Sequence, residues 1–339
     1  MKKVLALTMA LVFSMASLVP AGDLPTLRVA VQPYLLSVPT YYIIKNGLDV
    51  KNGFKIESSI YVNGTLINEA LGANLWDLAL NGPSTMFGVA NYGSKVIANI
   101  SLSSGGLAAL VRKDSPVAQI KDKIAPNLLG DAATLKGAKV LVPVGTINQW
   151  NVLKWIEKAG LTADDVEFVH MDNSSAFQAF KAGSGDIVAF SPPLSFVAEY
   201  DEGWVVGATG PELGMYFYDT VATNPRTYEQ KKDVIVKYIK LMYEVGDMFI
   251  KDPELIAQTA VAFQKENGAT ISIENARREV AARHFVSSEQ AKTMPVGEGL
   301  NDMAQFFVST GSLEEEQAEL VREGLIPDII KMVFPDAKL

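Results

Sequence analysis

Two heptapeptides decide how this chain is organised: D-L-A-L-N-G-P at Asp77–Pro83 and D-I-V-A-F-S-P at Asp186–Pro192. Each starts with an aspartate, continues as an apolar run short enough to be a buried strand, and ends in a proline suited to the first turn of a helix. The match extends backward. At the same offset Ala70 falls on Ala179 and Ala73 on Ala182, so a helix ending in small residues precedes both aspartates. Farther upstream, Arg28-Val-Ala-Val31 resembles Lys139-Val-Leu-Val142, and each leaves its strand through a proline and a polar turn. Matches in the same order predict two lobes of one topology.

The rest of the chain fits that plan. Leu27–Val31, Phe54–Ile60, Asp77–Leu80 and Lys95–Ile100 read as strands, with helical stretches of about ten residues between them. Strands alternating with helices predict an α/β protein whose mostly parallel sheets are flanked by helices on both faces. From Thr227 the pattern turns almost wholly helical. Val234, Ile235, Tyr238, Leu241, Met242, Val245 and Phe249 recur at helical spacing and form a core stripe. The first lobe is expected at 22–112 plus 215–339, and the second at 113–214. The chain would cross between them twice, after Leu107–Arg112 and again through Met215–Ala222, forming a two-stranded hinge that lets the lobes close on a ligand.

The 339 residues are 48% hydrophobic and 20% charged, enough for two substantial cores. Lys2 and Lys3, the apolar run Val4–Val19 and the small residues of Val19-Pro20-Ala21 predict a secretory leader cut after Ala21. The sequence contains no cysteine, which excludes disulfides, thiolate metal sites, cysteine nucleophiles and a lipidated N-terminal cysteine. A freely diffusing periplasmic protein is expected. Lys2 and Lys3 are the only charged residues ahead of Gly22, so cleavage takes the formal charge from −8 to −10. An acidic chain without basic clusters is a poor partner for nucleic acid or anionic membrane. Signatures of a phosphate-binding loop, a dinucleotide fold and a nucleophile elbow are absent. His170 and His284 lie far apart, and Asp164-Asp165 and Glu314-Glu-Glu316 stand where helix starts are expected, so neither set suggests catalysis. No enzyme activity, metal or cofactor is expected.

Ligands of open α/β sheets bind beyond the carboxyl ends of the strands. Four such ends are legible: Gln32-Pro33-Tyr34, Asn81-Gly-Pro-Ser84, Pro143-Val-Gly-Thr146 and Phe190-Ser-Pro-Pro193, with Ser103-Ser104-Gly-Gly106 near the end of the fourth strand. Thr146 stands as the cap of the next helix, with Gln149 at capping-box spacing. Asn148 and Trp150 follow on its first turns. The predicted ligand residues are Gln32, Tyr34, Asn81, Ser84, Ser104, Thr146, Asn148, Trp150, Phe190 and Ser191. Tyr34, Trp150 and Phe190 would form apolar walls. These loops contain neither lysine nor arginine, so an anion there would be held by amides, hydroxyls and helix N-termini. A weakly basic oxyanion, such as a sulfonate or nitrate, suits such a site.

Several runs give the chain a family resemblance: Val29-Ala-Val-Gln-Pro-Tyr34, Asn63-Gly-Thr-Leu-Ile-Asn-Glu-Ala-Leu-Gly72, Leu107-Ala-Ala-Leu-Val-Arg-Lys-Asp-Ser-Pro116 and Leu135-Lys-Gly-Ala-Lys-Val-Leu-Val-Pro-Val-Gly-Thr146, with Gly185-Asp-Ile-Val-Ala189. In order, they resemble the nitrate/sulfonate/taurine-type substrate-binding proteins of ABC importers, over nearly the whole chain after the leader. The resemblance implies the two-lobed periplasmic binding protein fold, a monomer, a small solute in the cleft, and an ABC permease as partner. It carries over to the Gln32 turn, to Ser84 and to the Gly145-Thr146 helix start. Phe190-Ser-Pro-Pro193 departs from a more usual Trp-rich, acidic turn, and the basic residue that some members place in the cleft is missing. Those departures leave open a neutral or aromatic solute, such as a thiamine-type pyrimidine precursor, an enzyme on the same fold, or a ligand sensor.

Overall fold

The computed structural model describes residues 24–339; the expected leader lies outside them. Ten strands form two five-stranded sheets. They are β1 (Thr26–Val31), β2 (Lys55–Ile60), β3 (Leu78–Asn81), β4 (Lys95–Leu102), β5 (Ala108–Val111), β6 (Lys139–Val142), β7 (Glu167–His170), β8 (Ile187–Phe190), β9 (Val205–Thr209) and β10 (Tyr218–Thr223). The orders are β2-β1-β3-β10-β4 and β7-β6-β8-β5-β9. β1 runs parallel to β2 and β3, and β6 parallel to β7 and β8, whereas β10 and β5 are antiparallel to both of their neighbours. The two lobes are therefore one topology built twice, each with a single reversed strand in fourth place.

The heptapeptide pair explains the repeat. Leu78–Asn81 and Ile187–Phe190 are buried at every position, as strands covered by helices on both faces must be. At the start of each, the aspartate staples the neighbouring strand. Arg28 N donates to Asp77 Oδ2 at 2.9 Å, and Lys139 N donates to Asp186 Oδ2 at 2.8 Å. The aspartate N–H groups return the bond to Arg28 O and Lys139 O at 2.8 and 2.7 Å.

The reversed strands are where the chain changes lobe. β5 belongs to the second sheet, so the first crossing runs through Ser103–Leu107, ahead of the boundary expected at 112. An isolated four-residue apolar run carries no mark of which sheet it joins, which is why sequence put it in the first lobe. The return passes between Thr209 and Tyr218, and the two crossings run side by side. Ser103 N donates to Phe217 O at 2.9 Å, and Gly210 N to Leu107 O at 3.0 Å. Glycine is required here: a Cβ on Gly105 would stand 2.0 Å from Ala282 O, and one on Gly106 2.6 Å from Pro192.

The C-terminal helices pack on the first lobe. The stripe on the Lys232–Lys251 helix is core: Ile235, Tyr238, Leu241, Met242, Val245 and Phe249 are buried. Tyr238 shares a 2.6 Å hydroxyl contact with Thr40, and Tyr243 donates to Asn99 O at 2.8 Å. Among the described residues no helix is long and apolar enough to cross a membrane. The carboxylate pairs are helix starts. Asp165 accepts from Thr162 N at 3.0 Å, and Glu314 opens a helix through a capping box with Gln317.

Candidate functional site

In the first lobe the strand ends are tied by a chain of amides. Gln32 Nε2 donates to Asn81 Oδ1 at 3.1 Å, and Ser84 Oγ donates to the same oxygen at 3.0 Å. Asn81 Nδ2 donates to Asn68 Oδ1 at 3.3 Å, and Asn68 Nδ2 to Ser84 O at 2.8 Å. Ser84 thus serves Asn81 and does not cap its own helix. Asn68 lies on the Gly64–Gly72 helix; it belongs to the N-G-T-L-I-N motif but was not among the predicted residues. That helix meets the site end-on, since a Cβ on Gly64 would fall 1.9 Å from Ser84 Oγ. Tyr34 follows Gln32 in a tight turn, and burial raises its phenol above the ordinary value.

The second lobe builds the same chemistry. Asn148 Nδ2 donates to Asn173 Oδ1 at 3.1 Å, and Ser191 Oγ donates to Asn148 Oδ1 at 3.2 Å. In both lobes an asparagine accepts from a serine after the third strand and donates to an asparagine on the helix after the second. One turn beyond this pair lie Asn151 and Ser195, whose side-chain polar atoms are buried without a partner among the described residues.

The helix start at Thr146 differs from expectation. Thr146 occupies the cap position, but its hydroxyl donates to Pro143 O at 2.6 Å. Gln149 reaches one residue farther back than a capping box and accepts from Gly145 N at 2.8 Å, and His170 Nδ1 accepts from Val144 N at 3.1 Å. The turn therefore saturates part of its own cradle. The first-turn N–H groups of Ile147 and Asn148 still have no acceptor within the Ile147–Lys158 helix.

The aromatic walls fall in different places. Phe190 is fully buried against Phe177 in the core of the second lobe, because the fourth residue of β8 points inward. Trp150 joins the lobes. Its indole stacks on Phe217 of the return crossing at 5.6 Å and on Phe306 of the Leu300–Ser309 helix at 5.2 Å. On another side the Arg278 guanidinium lies 3.7 Å from the Tyr200 ring, and Asn275 Nδ2 donates to Asp201 Oδ2 at 3.4 Å. The lobes are closed on each other along these contacts. Two open concavities, of about 520 and 260 Å3, lie elsewhere on the first lobe and its helices, and none of the predicted residues lines them.

A charged group at this edge was not foreseen. Asp219, the second residue of β10, pairs through Oδ2 with Arg283 Nη2 and accepts from Ser101 Oγ at 2.6 Å. Glu279 Oε1 lies 3.5 Å from Arg283 Nη1, within ion-pair range but without hydrogen-bond geometry. All three side chains are at least 95% buried. Burial raises the Glu279 carboxyl against the lowering pull of Arg283. The strand-end loops themselves contain neither lysine nor arginine, and the guanidinium is buried behind them. Arg283 arrives from the C-terminal helices and not from a strand-end loop, so inspection of the loops missed it. Ser104, in the first crossing, is buried with its hydroxyl unpartnered.

Comparison with known proteins places this geometry in context. The family model described as "NMT1/THI5 like" matches residues 45–256. A Brachyspira hyodysenteriae protein named as an ABC transporter periplasmic binding protein is 38% identical over 312 residues, 91% of this chain and 90% of that one. Two solved structures share the fold. The alkanesulfonate-binding protein SsuA of Xanthomonas axonopodis pv. citri has a TM-score of 0.70 at 17% identity, covering 91% of this chain and 100% of its own. The periplasmic nitrate-binding protein NrtA of Synechocystis PCC 6803 has a TM-score of 0.69 at 12% identity, covering 92% and 88%. On these grounds the chain belongs to the NMT1/THI5-like family, as a homologue of ABC transporter periplasmic binding proteins.

Proposed function

We propose that this chain is the periplasmic solute receptor of an ABC importer. It takes a small solute with an oxyanion head, of sulfonate or nitrate type, between its lobes and presents it to the permease. The observation that carries this reading is the pair of asparagine–serine constellations, one in each lobe, in which an asparagine accepts from a serine after the third strand and donates to an asparagine on the helix after the second, with a double crossing joining the lobes. Neutral amide and hydroxyl donors hold an oxyanion without proton transfer, and the free N–H groups of Ile147 and Asn148 add the positive end of a helix. Binding shifts the hinge toward the closed form, because only there do both lobes contact the solute. No chemical step is assigned to the chain.

The test is a thermal-shift screen of the protein after unfolding and refolding to strip carried-over solute. Alkyl and aryl sulfonates, taurine, nitrate, bicarbonate, carboxylates and pyrimidines make up the panel. A ligand at about 100 times its Kd adds about 2.7 kcal/mol, a rise of a few degrees in Tm. A response confined to sulfonates or nitrate supports the oxyanion reading. A response to neutral heteroaromatics alone overturns the oxyanion and keeps the receptor. Turnover of any compound overturns the receptor in favour of an enzyme.

A further inference from the structure

Beyond the two crossings, the second lobe is held at two seams, and both belong to the C-terminal helices that pack on the first lobe. At the rim, the Val197–Asp201 segment of the second lobe is a π-helical turn, which carries one residue more than an α turn and so bulges. Tyr200 stands there half-exposed, with the Arg278 guanidinium 3.7 Å from its ring. Arg278 is aimed from its own helix: Nη1 donates to Asn275 Oδ1 at 2.7 Å, and Asn275 Nδ2 donates across to Asp201 Oδ2 at 3.4 Å. Deeper in, Trp150 lies between Phe217 and Phe306. Its indole N–H has no partner among the described residues, so apolar stacking alone keeps it there.

The Ile273–Ala282 helix spans the distance from hinge to rim, about 15 Å. Its last carbonyl, Ala282 O, lies against Gly105 of the first crossing, while Arg278 and Asn275, one and two turns earlier, touch the second lobe. Rotation about the crossings must therefore part Arg278 from Tyr200 and draw Trp150 off Phe306. A lone exposed cation–π pair contributes little. Two seams broken by the same motion multiply in their effect on the open population. Neither seam uses the asparagine–serine constellations, so neither needs a solute in order to form.

We infer that the Ile273–Ala282 and Leu300–Ser309 helices form a latch that holds the lobes shut without solute, Arg278 gripping Tyr200 at the rim and Phe306 gripping Trp150 inside. Solute contacts then add to a closure already favoured, and capture waits for the latch to part. The latch rests on the two-lobed hinge and not on the oxyanion, so it can fail while the receptor reading stands.

The cysteine-free sequence suits the test. Val62→Cys and Ser174→Cys, at exposed positions just beyond the second strand of each lobe, supply two thiols for spin labels. Double electron–electron resonance on the refolded, solute-free, full-length protein then reads the distance between lobes. The expected distribution is dominated by the separation these positions have in the closed structure. Arg278→Ala and Phe306→Ala should each raise the open-to-closed ratio about tenfold, and together about a hundredfold, adding a longer distance. A solute-free protein that is mainly open overturns the inference. So does a double variant whose Tm falls while its distances stay unchanged, which reduces the seams to packing. Either result leaves the receptor reading to the thermal-shift screen. Should Phe306→Ala fail to fold, Arg278→Ala and Tyr200→Ala carry the comparison, since each cuts only the rim seam.

Discussion

Asp77 and Asp186 stand at the same point of the two lobes and make the same backbone staple, yet they live in different surroundings. Asp186 is exposed and serves Lys139 alone. Asp77 is 3% exposed and collects Arg28 Nη2, Lys231 Nζ and Thr227 Oγ1, each at 2.9 Å. Burial by itself would raise its carboxyl; the bonds to Arg28, Lys231 and Thr227 win and hold it well below the ordinary value of 3.8. The helix starts differ in a similar way. The Gly64–Gly72 and Asn173–Lys181 helices are nine residues each, capped by Asn63 and Asp172. Their first residues are Gly64, which admits Asn81 and Ser84 of its own lobe, and Asn173, which fills that space itself. The repeat preserves the backbone skeleton; the chemistry of each lobe comes from what the rest of the chain lays against it. The C-terminal helices lie against the first lobe, so charge collects there.

The sharpest way to break this contrast is to remove both aspartates separately. Asp77→Ala is expected to cost about 3 kcal/mol in urea unfolding, the lower end for a broken buried pair because Arg28 and Lys231 keep access to water. Asp186→Ala should cost about 1 kcal/mol, one hydrogen bond. Equal losses would erase the distinction. The acid limb sharpens it. A carboxyl lowered in the folded state stabilises above its unfolded value, and that contribution is lost as pH falls through the folded one. Wild type should therefore lose stability more steeply below pH 3.8 than Asp77→Asn, measured as Tm against pH.

At the helix starts, Gly64→Ala should cost about 1–3 kcal/mol by overpacking against Ser84. Asn173→Gly should cost about 1 kcal/mol, through its hydrogen bond to Asn148. The reverse order would show that the first lobe yields where the structure is tight. The smallest expected stability effect is Thr146→Ala, about 0.5–1 kcal/mol for one hydrogen bond to Pro143. Calorimetry with whichever compound responds in the screen should show a larger loss of affinity than of stability. An equal loss in both would reduce Thr146 to local scaffolding.

The legible part of the fold was whatever repeats locally. Buried strands such as β3 and β8 must be apolar at every position, and their aspartates and prolines mark both ends. Gln32, Asn81 and Ser84 were found because a polar turn leaving a buried strand is itself a signal, and the structure joins them in one network. What escaped depends on contacts between distant segments. β5 reads equally well as the end of either lobe, since nothing in Ala108–Val111 names its partners. Glu279 and Arg283 have the spacing of an ordinary surface pair on a helix, and only packing against Asp219 turns them into a buried cluster. Thr146 and Gln149 have capping-box spacing, but Pro143 O and Gly145 N lie nearer. Phe190 was placed in the cleft because its loop is there, while the strand's pleat turns it into the core.

The placement of β10 between β3 and β4 also bears on how the protein is made. All pairings of the second sheet lie within residues 108–209, so they are available before β10 has been synthesised. The first sheet is different: β4 has no partner in β1, β2 or β3 and waits for Tyr218–Thr223 to bridge it to β3. A segment of more than a hundred residues must therefore be held out of the way while the first lobe stays open along its middle. Closing that loop is the late, nonlocal step. The second sheet can thus complete its pairing first, and the half-built first sheet is the state most exposed to aggregation.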